Sequence, residues 1–241
     1  LRPFPAGSFP PVVEQAEEVL NGRIMKTALD IYGQDGQLPE AVEKRIKREM
    51  NSILDNGFAV MYYITSELVR KSNSDGYIVG SRGSVGSSLA ATLCGITEVN
   101  PLPPHYVCPD CHYTEFDESG EYGSGYDLPP KDCPDCSVPM TREGQDIPFE
   151  TFLGFDGDKQ PDIDLNFSGV YQARAHRFIE EMFGKDYTFR AGTISGYAEK
   201  NSSAMVHNYY EEEGRPVRRA EIRRLASGIS GVRRTTGQHP G

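Results

Sequence analysis

The sequence contains no tryptophan, and none of its apolar runs approaches the roughly 20 residues that a bilayer-spanning helix requires. It also lacks a basic segment followed by an apolar stretch near its start, which is the pattern of a secretory signal. The lack of a spanning segment and of a signal indicates a protein of the cytoplasm with no membrane partner. Thiols stay reduced in that compartment, so disulfides are disfavoured for the five cysteines.

Basic residues are scarce relative to acidic ones, since 25 Lys and Arg against 35 Asp and Glu give a net charge of −10. This balance argues against a protein whose whole surface attracts polyanions. The segment 215–234 is an exception, because it contains one acid, Glu221, and the arginines Arg215, Arg218, Arg219, Arg223, Arg224, Arg233 and Arg234. Two interpretations of this arginine patch remain open: a solvated helix face and a surface that contacts phosphates.

The length of 241 residues allows one large domain or two small ones. Hydrophobic residues at 37% and charged residues at 25% are typical of a folded globular protein and exclude a disordered one. Because the sequence begins at Leu1 and ends at Gly241, we expect it to be an excised part of a longer protein.

Hydrophobic periodicity predicts a chain of mixed helices and strands. Helices are expected at 12–31, 40–54, 58–69, 89–94, 172–183, 198–210 and 217–226. Strands are expected at 76–79, 161–167 and 187–194, and a loop at 231–241. The first three helices are expected to cover a sheet.

A glycine- and serine-rich turn, Gly80–Ser88, lies between a predicted strand and a predicted helix. Glycines let a phosphate approach the backbone, and the free amides at a helix start attract anions. Arg82 adds guanidinium donors for a phosphate oxygen. The Gly-Lys-Ser/Thr of a Walker A loop does not occur here, which disfavours a P-loop fold. A phosphate cradle and a plain glycine turn with a serine N-cap both remain open.

Two Cys-x-x-Cys knuckles carry the strongest chemical signal. Their spacing matches a tetrahedral zinc ribbon, in which each knuckle supplies two thiolates, and the predicted ligands are Cys108, Cys111, Cys133 and Cys136. Four thiolates complete the coordination sphere, so the zinc is expected to be structural. The neighbouring His105 and His112 are interpreted as surface histidines, and Cys94 as a small buried hydrophobe.

Two carboxylates alternate with apolar residues in the segment Pro161–Phe167. On a strand, Asp162 and Asp164 would leave one face while Ile163 and Leu165 enter the core. Neighbouring carboxylates repel unless a cation lies between them, and their hard oxygens suit Mg²⁺. A solvated strand end is the alternative for this motif by itself.

The segments resemble, in order and spacing, the PolC type of C-family replicative DNA polymerases of Gram-positive bacteria. The resemblance rests on Gly80–Ser88, the run 96–108, both knuckles, Pro161–Gly169 and 233–241. It implies an α+β fold: a mixed-sheet palm of the polymerase-beta-like nucleotidyltransferase type with flanking helices. The palm would occupy 1–191 with the zinc ribbon inserted at about 103–145, a helical thumb segment 192–231, and a return toward the palm 232–241.

The resemblance also implies a function, templated transfer of a nucleotide from a dNTP to a primer 3′-hydroxyl with two Mg²⁺ ions. Asp162 and Asp164 map onto catalytic, metal-binding aspartates. The triphosphate-binding residues would be Arg82, Gly83, Ser84 and Ser87. Contacts to the DNA backbone would come from Lys200, Arg218, Arg219, Arg223, Arg224, Arg233 and Arg234.

The implied partners are primer–template DNA, a dNTP, exonuclease, PHP and fingers domains of the longer protein, and a sliding clamp. A third catalytic aspartate and the fingers are expected beyond Gly241, so this chain by itself is expected to be inactive. Two residues depart from the family pattern, namely Ser195 in a Ser-Gly-Tyr sequence and Ser137 after the last knuckle. A zinc-ribbon module that binds nucleic acid without catalysis is the alternative function.

Overall fold

The computed structural model describes residues 11–154, 159 and 161–239. The chain divides into two compact units, Leu1–Phe178 and Ile179–Gly241. Within the described residues, no helix combines the length and the apolar character needed to cross a bilayer.

The predicted helices are confirmed to within a few residues at most ends. In the first unit they are α1 Ala16–Tyr32, α2 Glu40–Asp55, α3 Ala59–Ser74, α4 Leu89–Leu93 and α6 Gln172–Phe183, which runs into the second unit. The short helix α5 Glu150–Leu153 is not among the predicted ones. In the second unit they are α7 Glu199–Glu212 and α8 Arg219–Ile229.

Apolar side chains at helical spacing bury one face of the first helices. Leu20, Ile24 and Ala28 do so on α1, and Val42 and Ile46 do so on α2. Each fully buried leucine, isoleucine or valine stabilises the fold by about 1.5–3 kcal/mol relative to an exposed one. The helix layer therefore supplies the main core of the first unit.

The strands form small antiparallel sheets. Their bounds are β1 Gly80–Arg82, β2 His105–Val107, β3 Thr114–Phe116, β4 Thr141–Glu143, β5 Asp164–Asn166, β6 Gly192–Gly196 and β7 Arg233–Gln238. The sheet orders are β1-β5, β3-β2-β4 and β6-β7. The α+β class is confirmed.

The expected mixed sheet is wrong for the part of the chain that the structure describes. Every strand pair there is antiparallel, and the largest sheet has three strands. Most of these strands are three residues long, so each ladder contains few hydrogen bonds.

The strand predicted at 76–79 is also wrong, because helix α3 extends to Ser74 and its end continues into these residues. Gly76 has a φ of 85°, and the amide of Tyr77 donates to Ser72 O at 2.9 Å. The helix end thereby takes the hydrogen bond that a sheet would need, and Ile78 is 81% exposed. The strand begins instead at Gly80.

In the second unit, β6 precedes α7 and β7 follows α8 along the chain. The two strands pair with each other, and the two helices pack on each other. The strand predicted at 187–194 is displaced to Gly192–Gly196, after a 3₁₀ turn at Lys185–Tyr187. The closing segment, expected to be a loop, forms β7, with Thr193 opposite Gly237. Such pairing joins residues distant in sequence, so local patterns do not predict it.

His105 is a buried core residue, and its interpretation as a surface histidine is wrong. Its side chain is fully buried and packs on the Phe116 ring with centroids 4.9 Å apart. Nδ1 lies 2.7 Å from Pro103 O, so this nitrogen donates and Nε2 accepts from the Tyr32 hydroxyl at 3.2 Å. Asn100 Nδ2 donates to the same hydroxyl at 2.7 Å. These contacts fit a neutral imidazole with its hydrogen on Nδ1.

Burial lowers the pKa of His105 below its usual value. Between the lowered pKa and about 6.5 the unfolded chain binds a proton that the folded chain does not, so we expect stability to fall as pH drops through this window. We predict that His105→Asn reduces this loss, measured as the melting temperature between about pH 8 and about pH 5.5.

His207→Asn serves as the control, because His207 lies on an exposed helix face, where its side chain is 59% accessible. Glu143 lies opposite His105 in the β2–β4 ladder. It is unchanged in the wild type and in both variants, so its contribution to the pH dependence of the melting temperature cancels in the comparison. Identical pH slopes for wild type and His105→Asn would contradict the assignment.

Candidate functional site

The four predicted zinc ligands converge in the structure. The Sγ atoms of Cys108, Cys111, Cys133 and Cys136 all lie within 4.8 Å of one another. Cys108 and Cys136 are 3.3 Å apart at Sγ, and Cys111 and Cys133 are 3.5 Å apart. Tetrahedral zinc with bonds of about 2.3 Å would place its sulfurs about 3.8 Å apart. The cluster therefore fits a structural zinc ion after small adjustments.

The two knuckles share one backbone conformation. The carbonyls of Cys108 and Cys133 accept from the amides four residues later, at 3.1 and 2.9 Å. Those amides belong to His112 and Ser137, whose φ angles of 61° and 58° lie in the left-handed region. Ser137, a departure from the family pattern, therefore adopts a conformation that glycine would adopt without strain.

Within the cluster Cys108 favours the thiolate form, whereas the pKa values of Cys111 and Cys136 are raised, and the knuckles have little core of their own. The amide of Cys111 lowers the pKa of the Cys108 thiol to about 6, which favours the form that binds zinc. The local core is limited to the buried residues Tyr106, Cys108, Leu128, Cys133 and Met140, with a few partly buried neighbours. A metal held by the four cysteines would therefore add stability that this small core lacks.

Cys94 belongs to the main core of the first unit and not to the cysteine cluster. Burial raises the pKa of its thiol to about 12, so it is an unreactive apolar residue, as the sequence indicates.

The carboxylate motif lies on β5, which pairs with β1. Asp164 is opposite Arg82, and their side chains form an ion pair with Arg82 Nη2 3.0 Å from Asp164 Oδ2. Ile163 and Leu165 pack against the main core, as predicted. The strand begins at Asp164, so Asp162 precedes the ladder and is exposed.

The Gly/Ser turn follows β1 directly, and this pairing brings it to the carboxylate motif. Gly83 has a φ of 81°, and a Cβ built on it would lie 3.9 Å from Asp164 Oδ2. Ser84 is half-buried, whereas Ser87 is buried and its hydroxyl donates to Ser84 O at 2.6 Å. The structure thus brings Arg82 and Gly83 together with Asp164.

The start of α4 does not present free amides, contrary to the expectation for the phosphate cradle. Leu89 N and Ala90 N donate to the Glu49 carboxylate at 3.0 and 2.9 Å, and Ala91 N donates to Ser88 Oγ at 3.2 Å. A buried acid therefore occupies the helix N-terminus. An anion bound at this turn would have to contact its outer part, around Gly83.

Glu49 is the residue that sequence reasoning missed. One signal was available, because Glu49 lies seven residues after Val42, at a position of the buried stripe of α2. An acid in such a stripe must have partners inside the protein.

The predicted DNA-backbone residues are all exposed, and they lie in the second unit: Lys200, Arg218, Arg219, Arg223, Arg224, Arg233 and Arg234. Arg224 pairs with Glu221 at 2.7 Å, and Arg234 lies over the Tyr197 ring, 5.8 Å from its centroid. An exposed ion pair of this kind contributes little to stability. Breaking these exposed contacts to bind a ligand would therefore cost little free energy.

Residues 15–215 match the family model described as the bacterial DNA polymerase III alpha NTPase domain. This match covers well over half of the chain. The chain belongs to the bacterial DNA polymerase III alpha family.

Relatives named DNA polymerase III PolC-type align with the whole chain. Identity is 59% with the protein of Thermotoga petrophila, 57% with that of Caldanaerobacter subterraneus and 56% with that of Clostridium perfringens. The chain spans 18%, 17% and 16% of the lengths of these relatives.

The cysteine cluster predicts about one equivalent of zinc per chain. We expect Cys111→Ser to lose this zinc, because three thiolates and a hydroxyl bind it far more weakly. Elemental analysis after dialysis measures the stoichiometry, and hydrogen exchange measures the accompanying opening of residues 105–140. Cys94→Ser is the matched control and should keep its zinc. Much less than one equivalent in the wild type would refute the site.

Proposed function

We propose that this chain forms part of the nucleotidyl-transfer site of a PolC-type replicative DNA polymerase. The observation that carries the proposal is the convergence of Arg82, Gly83 and Asp164 at the β1–β5 ladder, in a chain that belongs to the polymerase III alpha family. The substrates would be a dNTP and a primer annealed to template DNA.

In this reaction the primer 3′-oxygen forms a bond to the α-phosphorus, and the bond from that phosphorus to the bridging oxygen breaks. Pyrophosphate leaves, and the hydroxyl proton passes to solvent or a base. Asp162 and Asp164 supply carboxylate oxygens, the donor type that Mg²⁺ prefers. Two bound Mg²⁺ ions would activate the hydroxyl and stabilise charge on the leaving group.

Arg82 and Gly83 are suited to binding the triphosphate. The Arg82 side chain is 71% exposed, so it can turn from Asp164 to a phosphate oxygen once a cation neutralises the carboxylate. Gly83 has no Cβ on the side toward Asp164, which lets phosphate oxygens approach its backbone. Ser84 and Ser87 complete the proposed triphosphate-binding turn.

The proposed domain organisation follows the same family pattern. Residues 1–191 form a palm of the polymerase-beta-like nucleotidyltransferase type, with the zinc ribbon as a structural insertion. Residues 192–231 form a thumb-like segment, and 232–241 return toward the palm. Exonuclease, PHP and fingers domains belong to the longer protein, which acts in the cytoplasm with a sliding clamp.

The catalytic assignment is tested in the polymerase that contains this chain. We expect Asp164→Asn to lower kcat for templated primer extension at least about 10³-fold, since lost metal positioning removes several kcal/mol of transition-state stabilisation. Asp162→Asn should act in the same direction. Extension is measured with purified enzyme at saturating dNTP.

Asp30→Asn is the matched control, because Asp30 is an exposed carboxylate paired with Lys26 on α1. It should leave kcat unchanged. Full activity in both Asp164→Asn and Asp162→Asn would favour the alternative, a zinc-ribbon module that binds nucleic acid without catalysis.

The arginine patch predicts salt-dependent, sequence-independent binding of duplex DNA. Replacing Arg223 and Arg224 by alanine should reduce the slope of log K against log salt by up to about two units, because each phosphate contact releases about one counterion. Fluorescence anisotropy with two unrelated duplexes measures this slope.

The control replaces Lys26 and Lys44, which are exposed and paired with acids on α1 and α2. An unchanged slope in the arginine variant would show that the patch is only a solvated face.

A further inference from the structure

The Glu49 carboxylate is fully buried, and each of its oxygens has two donors. Oε1 lies 2.5 Å from Arg45 Nε and 3.0 Å from Leu89 N. Oε2 lies 2.9 Å from both Ser88 Oγ and Ala90 N. Two of these groups are the first amides of α4, and a third is the side chain of its N-cap residue. Glu49 therefore joins α2 to the point where the Gly/Ser turn becomes a helix.

Arg45 extends this contact to the turn itself. Its Nη2 donates to Ser87 O at 2.8 Å and to Ile147 O at 3.0 Å. Tyr62, on α3, places its hydroxyl 3.0 Å from Ser88 Oγ. The last carbonyl of the 3₁₀ turn, Gly83–Ser87, and the first amides of α4 are thus both held by charged groups of α2.

The chemistry of these contacts fits an ionised carboxylate. Burial raises the pKa of Glu49 above its usual value, although the Arg45 charge and the amides of Ala90 and Leu89 act in the opposite direction. All four neighbours offer hydrogens to its oxygens, and a protonated carboxyl would have to direct its own hydrogen at one of these donors. The positive end of α4 is consequently neutralised by the protein and is not available to a substrate phosphate.

The far end of the same turn lies at the proposed site. Gly83 opens the turn beside Asp164, and only residues 84–86 separate it from Ser87, whose carbonyl Arg45 holds. A turn anchored at one end by four hydrogen bonds has little freedom at the other. Alignment of a triphosphate with a metal ligand requires such restriction, because small displacements of reacting groups lower the rate strongly.

We propose that Glu49, with Arg45, is a positioning residue for nucleotide binding that sets the Gly83–Ser87 turn against Asp164. This inference rests on the proposed function. Neither side chain touches the substrate, and both act through the backbone of the turn.

Glu67 provides a matched comparison within the same unit. It is also a buried carboxylate, and it pairs with Arg23 at 2.7 Å and Arg70 at 2.5 Å. Arg23 lies on α1 and Arg70 on α3, so neither arginine belongs to the turn. Glu67→Gln therefore removes a buried charge of the same type without touching the nucleotide-binding turn.

The experiment compares steady-state kinetics of the polymerase that contains this chain, using dNTP, primer–template and Mg²⁺. We expect Glu49→Gln to raise KM for dNTP about tenfold or more, with a smaller change in kcat and unchanged affinity for duplex. The amide nitrogen of glutamine faces donors, so the turn loosens. Glu67→Gln should lower the melting temperature and leave KM within about twofold of the wild type.

Arg45→Lys keeps the positive charge but loses the fork that reaches Ser87 O and Ile147 O, and it should raise KM in the same way. If Glu49→Gln does not fold, the KM of Arg45→Lys for dNTP tests the inference. An unchanged KM in the folded variants, with only stability lost, would overturn the inference while leaving the polymerase assignment intact. Absence of templated extension by the wild-type protein would overturn the proposed function and the inference together.

Discussion

The antiparallel ladder of β1 and β5 sets Arg82 opposite Asp164, although three residues from each strand form it and the cysteine cluster lies between them in sequence. A two-stranded sheet of this size is marginal in water. Ile163 and Leu165 pack against the main core beside β5, and their burial supplies the stabilisation that the ladder lacks. The geometry of the candidate site therefore depends on apolar packing beneath it.

A metal bound to the cysteine cluster would assist the same ladder from a distance. Zinc bound to Cys108 and Cys136 would close about a third of the segment between β1 and β5 into a fixed loop, and a shorter free loop costs less entropy to close. The ribbon is also attached to the helix layer, because His112 Nδ1 lies 3.0 Å from Ile31 O and Tyr32 bonds to His105. A structural metal can thus influence a site that it does not touch.

Much of the candidate site could be predicted from short patterns. The knuckle spacing predicts all four thiolates, because Cys-x-x-Cys places two ligands on one turn. The alternation around Asp164 predicts that Ile163 and Leu165 face the core. The Gly/Ser turn predicts a residue with positive φ, which the structure places at Gly83. Its partner Asp164 is distant in sequence, so local patterns alone do not pair them.

The sequence by itself determined which four cysteines cluster, which helix faces are buried and that Ile163 and Leu165 face the core, because each depends on spacing within one turn, helix or extended segment. Only the tertiary structure decided that His105 is buried and that Glu49 meets the start of α4, since both depend on which distant elements cover a side chain. The same holds for the β6–β7 pairing, which joins Thr193 to Gly237. Long-range contacts of this kind follow from the packing of the whole chain, and no local pattern encodes them.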